Sequence, residues 1–218
     1  MSRKITPRKQ IPTFAFVVDG ETEIWYLQML RLNEQKIRLS IRPEIPQKKG
    51  LYDQFDLVCE LARSEYQRVF WIVDLDTIIK ESKEVASGAK TPLLIFNEMR
   101  TKLHHHDDFQ NVVVIVNNPC LEFWFLLHFI PTSRYYRRCF DVIRTLKLKK
   151  HLIGYEKTEK FFKKTNNDIY SRLKPYLHNA IQNAAALAPF DLENPERAIC
   201  EMHELFKCKE FEPCLRND

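Results

Sequence analysis

The sequence predicts an α/β protein: a mainly parallel β-sheet with helices between its strands, followed by a helical C-terminal extension. Three observations predict it. Three apolar runs each stop at a polar cluster, helical spacing returns between those runs, and strand signals fade beyond Pro131. Alternation of this kind implies parallel strands joined by crossover helices.

The first run, Thr13-Phe14-Ala15-Phe16-Val17-Val18, is dense in aromatic and β-branched residues and reads as a buried strand. It leads into Asp19-Gly20-Glu21-Thr22-Glu23. Ile24, Leu27 and Leu30 then recur at helical spacing over 21–32. Ile37, Leu39 and Ile41 alternate with polar residues, a strand over 37–45 closed off by Pro43 and Pro46. Phe55, Val58 and Leu61 mark a helix over 51–64. A second buried strand, 68–73, runs into Asp74-Leu75-Asp76, and 91–103 is helical again. The third strand, 111–116, runs into Asn118-Pro119-Cys120-Leu121-Glu122, which opens the apolar helix around Phe123-Trp124-Phe125. Beyond Pro131, helices are expected over 135–146, 158–162, 167–187 and 195–206, the last from an Asn194 cap with Pro195 at its first position. The predicted organisation is a basic arm over 1–12, a catalytic α/β domain over 13–130, and a basic helical extension over 131–218.

Composition narrows the class. The chain has 218 residues, 44% hydrophobic and 29% charged, which is globular rather than disordered. No apolar run approaches the roughly 20 residues that span a bilayer, so a soluble, cytoplasmic protein without membrane contact is expected. Six cysteines lie scattered with no C-x-x-C pair, which disfavours a zinc site and a disulfide framework and leaves reduced thiols as the expectation. Four glycines in all, with neither a Walker loop nor G-x-G-x-x-G, argue against nucleotide hydrolysis by this chain alone. Over 131–164, eleven lysines and arginines face three carboxylates, as expected of a surface that meets phosphates. Arg134, Arg137, Arg138, Lys147, Lys149, Lys150, Lys163 and Lys164 are the candidate nucleic-acid contacts.

The acidic clusters carry the chemistry. Ligands of open α/β sheets bind beyond the carboxyl ends of the strands, where these acids fall. Asp74 and Asp76, two apart on an extended segment, would present both side chains to one face and share a hard cation; a solvated strand end or a helix cap is the plainer alternative. Asp19 ends a different strand, and adjacent parallel strands would bring the two ends within about 5 Å. Glu23 is a metal ligand, a general base for water, or a charge favourable near a helix N-terminus. Glu21 is expected in solvent. Glu122, beside buried aromatics, needs a partner and serves either as an acid behind the site or as a capping charge. Asn118 is expected to cap the helix after Pro119. The run His104-His105-His106-Asp107-Asp108 reads as a solvated connection, since adjacent residues cannot all face one ion. Trp25, Tyr26 and 123–129 are expected in the core, and Tyr135 and Tyr136 are the better candidates for stacking on bases.

These residues resemble a known family. Asp19-Gly20-x-Thr22-Glu23-x-x-Tyr26, Asp74-x-Asp76 and Asn118-Pro119-x-x-Glu122-x-Trp124-x-Leu126-Leu127-His128-Phe129 are similar to motifs of the RloB-like branch of the Toprim superfamily. The similarity continues through Tyr155-Glu156-Lys157, 180–183 and Asn194-Pro195. The resemblance implies a Rossmann-like Toprim domain that binds Mg²⁺, with Mn²⁺ as a substitute, through Asp19, Asp74 and Asp76. Asp19 stands where Toprim proteins usually carry glutamate, so Glu23 is expected to share the acid–base role. The implied activity is nuclease cleavage of RNA, including tRNA, or of DNA, in bacterial anti-phage defence and abortive infection, with an ABC-like ATPase encoded alongside. The alternative is a non-catalytic or latent module of such an ATPase complex. The catalytic candidates are therefore Asp19, Glu23, Asp74, Asp76 and Glu122.

Overall fold

The computed structural model of the chain describes residues 13–18, 20–42, 50–148 and 152–215. Strand β1 (Thr13–Val17) leads into helix α1 (Glu21–Asn33), β2 (Arg38–Arg42), α2 (Leu51–Ala62), β3 (Arg68–Asp74), α3 (Leu75–Glu84), α4 (Pro92–His105), β4 (Val112–Asn118) and α5 (Leu121–Leu127). The C-terminal part adds α6 (Cys139–Leu148), α7 (Glu159–Phe162), α8 (Ile169–Leu173), α9 (Leu177–Ala185), a short β5 (Ile199–Cys200) and 3₁₀ turns. The strands lie in the order β2-β1-β3-β4-β5; β1 to β4 are parallel and β5 is antiparallel to β4. The expected α/β fold with a mainly parallel sheet and a helical C-terminal region is the observed one.

Both faces of the sheet are covered, which is why the inner strands β1, β3 and β4 are apolar along most of their length, whereas the edge strand β2 alternates. Phe14, Phe16, Phe70 and Ile72 point to the side packed by α1, α5, α6, α8 and α9. Ala15, Val17, Val69, Trp71 and Val73 point to the side packed by α2, α3 and α4. Trp25, Tyr26, Phe123, Trp124 and Phe125 are buried, as core residues should be. Two indole N–H groups of the aromatic core each meet a partner: Trp124 Nε1 donates to Tyr26 Oη at 3.2 Å, and Trp71 Nε1 to Gln54 Oε1 at 2.9 Å.

Several elements depart from the sequence reading. The helix expected over 167–187 is broken at Pro175, which lacks an N–H and clashes with the carbonyl four residues back; α8 ends, a 3₁₀ turn spans Lys174–Tyr176, and α9 follows. No helix starts at Pro195. Instead the chain lies along the end of β4, pairing Asn117 with Cys200 and Asn118 with Ile199. The Glu201 N–H donates to the Val116 carbonyl at 2.9 Å. The open edge of β4 outcompetes the local capping signal at Asn194-Pro195. Asn118, expected to cap α5, is used for the same docking: its Nδ2 donates to the carbonyls of Pro195 at 2.7 Å and Arg197 at 2.8 Å. The peptide bond between Asn118 and Pro119 is cis. Cys120 occupies the cap position of α5. Pro43 and Pro46, expected to end β2, lie outside the described residues. Among the described residues no helix is long and apolar enough to cross a membrane.

Candidate functional site

The carboxyl ends of β1, β3 and β4 converge on a cavity of about 250 Å³. Gly20, Thr22 and Glu23 enter from the start of α1, and Asp74, Asp76 and Thr77 from the β3–α3 junction. Cys120, Cys139 and Lys157 close the remaining side. Asp74 and Asp76 do not lie on one extended segment. Asp74 is the last residue of β3 and the cap position of α3, whereas Asp76 is in the first turn of α3. The turn of chain brings both carboxylates to the same cavity by a different route from simple alternation.

Each carboxylate is held by a neighbouring donor. Asp74 Oδ2 accepts from the Leu121 N–H at 3.3 Å, and its Oδ1 from Asn117 Nδ2 at 3.5 Å. Asp76 Oδ1 accepts from the Thr77 N–H at 2.8 Å. Glu23 Oε2 accepts from Thr22 Oγ1 at 3.1 Å. Gly20 is needed for close approach: a Cβ there would lie 2.2 Å from Glu23 Oε2. Glu122 is fully buried behind the cavity, where Tyr155 Oη donates to its Oε1 at 2.7 Å and Lys157 Nζ lies 2.8 Å from the same oxygen.

The electrostatics follow from burying several acids around one ammonium. Desolvation, then the charge of Glu122, pushes the Glu23 carboxyl up from 4.5 to about 7. Burial and the neighbouring Glu23, Glu122 and Asp76 push Asp74 well above the usual carboxylate range. Burial also raises Asp76, against the opposing hydrogen bond from Thr77. For Lys157 desolvation acts downward, but Glu122, Glu23 and Asp74 outweigh it and hold the ammonium above its ordinary value. Burial followed by Glu122 raises the Tyr155 phenol. The set is short of positive charge. Hard divalent cations take carboxylate oxygens, and the Glu23, Asp74 and Asp76 oxygens around one cavity fit Mg²⁺ on that chemistry.

Sulfur enters the wall unexpectedly. Cys120 and Cys139, expected as free thiols, form a disulfide with an S–S distance of 2.08 Å. Their separation of 19 residues carries no spacing signal, and only the fold brings them together. Cys139 Sγ also lies 3.0 Å from Glu122 Oε2. Cys120, Glu122 and Cys139 offer ligand atoms within 4.8 Å of one another, but with the disulfide closed neither sulfur is a thiolate, so this trio does not fit a metal as it stands.

Of the candidates, Glu23, Asp74 and Asp76 share the cavity, with Glu122 behind it; Asp19 lies outside the described residues. Arg137 and Arg138 line a second cleft that shares Asp76 and Thr77 with the first. Arg134 is exposed, its guanidinium 5.0 Å from the Tyr136 ring centre. Lys147 and Lys164 are exposed, Lys163 pairs with Glu159 at 2.6 Å beside the end of α1, and Lys149 and Lys150 lie outside the described residues. Tyr136 is buried against Phe123, so only Tyr135 keeps a stacking role open. The residues of the 104–108 run are exposed, as expected, but His104 and His105 end α4 and only 106–108 belong to the connection. Sequence reasoning missed Lys157 and Tyr155 as site residues. Their one signal was the Tyr155-Glu156-Lys157 motif, since composition sees Lys157 only as one cation in a basic stretch.

A family model described as RloB-like protein matches residues 14–208. No curated protein and no solved structure matches the chain.

Proposed function

The chain belongs to the RloB-like protein family, and on that premise we propose that it is a metal-dependent phosphodiesterase that cleaves nucleic acid. The observation that carries this reading is the cavity in which Glu23, Asp74 and Asp76 share, among the described residues that line it, a single ammonium, that of Lys157. A surplus of carboxylates, Glu23 buried and Asp74 and Asp76 half-buried, is costly unless a cation or proton relieves it. Asp74 and Asp76, with Asp19, are the proposed ligands of Mg²⁺ or Mn²⁺. Such an ion, when bound, supplies positive charge to the attacking and leaving oxygens of an in-line displacement.

The remaining roles fall to the chain itself. A carboxyl held near 7 is suited to accept a proton from water at neutral pH, which assigns Glu23 as general base. The water oxygen bonds to phosphorus, its proton passes to Glu23, the bond to the leaving oxygen breaks, and that oxygen takes a proton from solvent. Lys157 is anchored by Glu122, itself fixed by Tyr155, and in this reading it meets a non-bridging phosphate oxygen. Arg134, Arg137, Arg138, Lys147, Lys149, Lys150, Lys163 and Lys164 are the proposed grip on the backbone, giving salt-dependent binding with little base readout. Control by an ABC-like ATPase, and action on phage infection, rest on the family membership alone.

A second reading is favoured by one observation: the Lys157–Glu122 ion pair already neutralises part of the site. A latent nuclease, opened when an ATPase partner moves Lys157, would look the same. Both readings meet one experiment. Wild-type protein and Asp74→Asn/Asp76→Asn are incubated with tRNA, single-stranded RNA, plasmid and single-stranded DNA in Mg²⁺ or Mn²⁺. Cleavage of one class, abolished by EDTA and reduced by about 10³-fold or more in the double variant, is expected of the enzyme. Mg²⁺ binding without cleavage of any substrate would favour the latent module, and absence of Mg²⁺ binding would sink the metal reading.

A further inference from the structure

The second cleft has a volume of about 400 Å³ and lies between α3 and the segment that precedes α6. It adjoins the carboxylate cavity, since Asp76 and Thr77 line both. Its remaining walls bring Lys80, Lys83, Arg137 and Arg138 around Tyr135. Two of those cations are committed: Lys83 pairs with Glu196, and Arg138 with Asp141 at 3.5 Å. Lys80 and Arg137 are exposed and form no ion pair among the described residues. Tyr135 is half-buried, an aromatic wall within a basic cleft.

We propose that this cleft binds the nucleotide next to the scissile phosphate, and that the substrate is therefore a single-stranded segment of nucleic acid. The inference rests on the nuclease reading for which phosphate reacts, and on the cleft itself for strandedness. At about 400 Å³ the space has the size of a site for one small ligand, a nucleotide and not a duplex. Cations that track a backbone beside an aromatic ring form the usual platform for unpaired strands, because every base has a face to stack. Lys80 and Arg137 bind the flanking phosphates, Tyr135 stacks on the base, and the chain crosses Asp76 into the carboxylate cavity.

The test is fluorescence anisotropy in EDTA, where cleavage is blocked, using the full chain and a fluorescein-labelled 12-mer either single-stranded or annealed. The single strand is expected to bind at least about tenfold more tightly than its duplex. Lys80→Ala/Arg137→Ala should weaken binding about tenfold and lower the slope of log Kd against log salt by about 1.4, two phosphates' worth. Tyr135→Ala should weaken it by about tenfold with the slope unchanged, and Tyr135→Phe should not. Equal affinity for duplex and single strand, wild-type affinity in the Lys80/Arg137 variant, or no binding by the wild type each overturns the cleft assignment. The nuclease reading fails separately: a chain that shows this binding pattern yet never cleaves in Mg²⁺ or Mn²⁺ keeps the cleft and loses the chemistry.

Discussion

Two groups of buried and half-buried acids sit on opposite terms with their surroundings. Glu201, beside β5, is nearly fully matched: its Oε2 accepts from the Val116 N–H at 3.0 Å, its Oε1 from the Phe190 N–H at 3.1 Å, and Arg100 lies 3.8 Å away. Glu34 is similar, with Tyr170 Oη at 2.9 Å and Lys174 Nζ at 2.6 Å. Each of these carboxylates has its own donors. Around the cavity, Glu23, Asp74 and Asp76 share, among the described residues, one lysine that Glu122 already holds, and all three are pushed toward the protonated form. The difference teaches what each set is for. Matched carboxylates fasten chain segments, and unmatched ones hold a place for a charge that arrives later.

The comparison breaks most sharply under substitution. Glu201→Ala leaves the buried Val116 and Phe190 N–H groups without acceptors, so it should destabilise the fold by about 3 kcal/mol. Asp74→Asn/Asp76→Asn keeps an acceptor for Leu121 and for Thr77 while removing like-charge repulsion, and should leave stability in EDTA unchanged or raised. Urea unfolding of the two variants side by side decides it. If the aspartate pair unfolds as early as Glu201→Ala, the cavity acids are structural and the contrast disappears.

Acidity sharpens the same contrast. With its folded value raised, Glu23 stays protonated in the folded chain from 4.5, where the unfolded chain ionises, up to about 7. Its favourable contribution is therefore complete at low pH and is lost as pH rises through that window. Asp74 is shifted in the same direction. A divalent cation binds the ionised form, so it must displace those protons, and fewer of them remain to be displaced as pH rises. The rise in Tm on adding Mg²⁺ should be larger at pH 8 than at pH 5.5. A rise that is equal at both values, or larger at the acidic one, would show that the ion binds elsewhere.

How much of this was legible in the sequence depends on the range of the interaction. β1, β3 and β4 were legible because strands buried on both faces are apolar throughout, and the acids at their ends marked the side where the site lies. The break at Pro175 was legible too, as the local chemistry of one residue, yet the alanine-rich stretch beyond it suggested a continuous helix. What could not be read was the use of one segment by another. The capping signal at Asn194-Pro195 was genuine locally and lost to the edge of β4. Cys120 and Cys139 meet only after α5 and α6 pack, and Lys157 reaches Glu122 from a segment 35 residues further on. Those are products of the folded chain, and they supply much of the cavity's far wall.

The smallest expected effect tests whether the unmatched set is also precisely placed by its backbone. Gly20 has an ordinary φ of −108°, so alanine can adopt its conformation. The added Cβ, however, would lie 2.2 Å from Glu23 Oε2 and 3.2 Å from Cδ, and the carboxylate must move aside. Replacing glycine by alanine at this cap position should cost only about 1 kcal/mol or less of stability. Its effect should appear in the site, as a loss of about tenfold in Mg²⁺-dependent activity, because a displaced general base loses most of its contribution. The control is Glu23→Ala made alone and combined with Gly20→Ala. If the glycine acts through Glu23, the second substitution adds nothing once the first is present, and fully additive losses would mean that Gly20 serves the helix rather than the carboxylate.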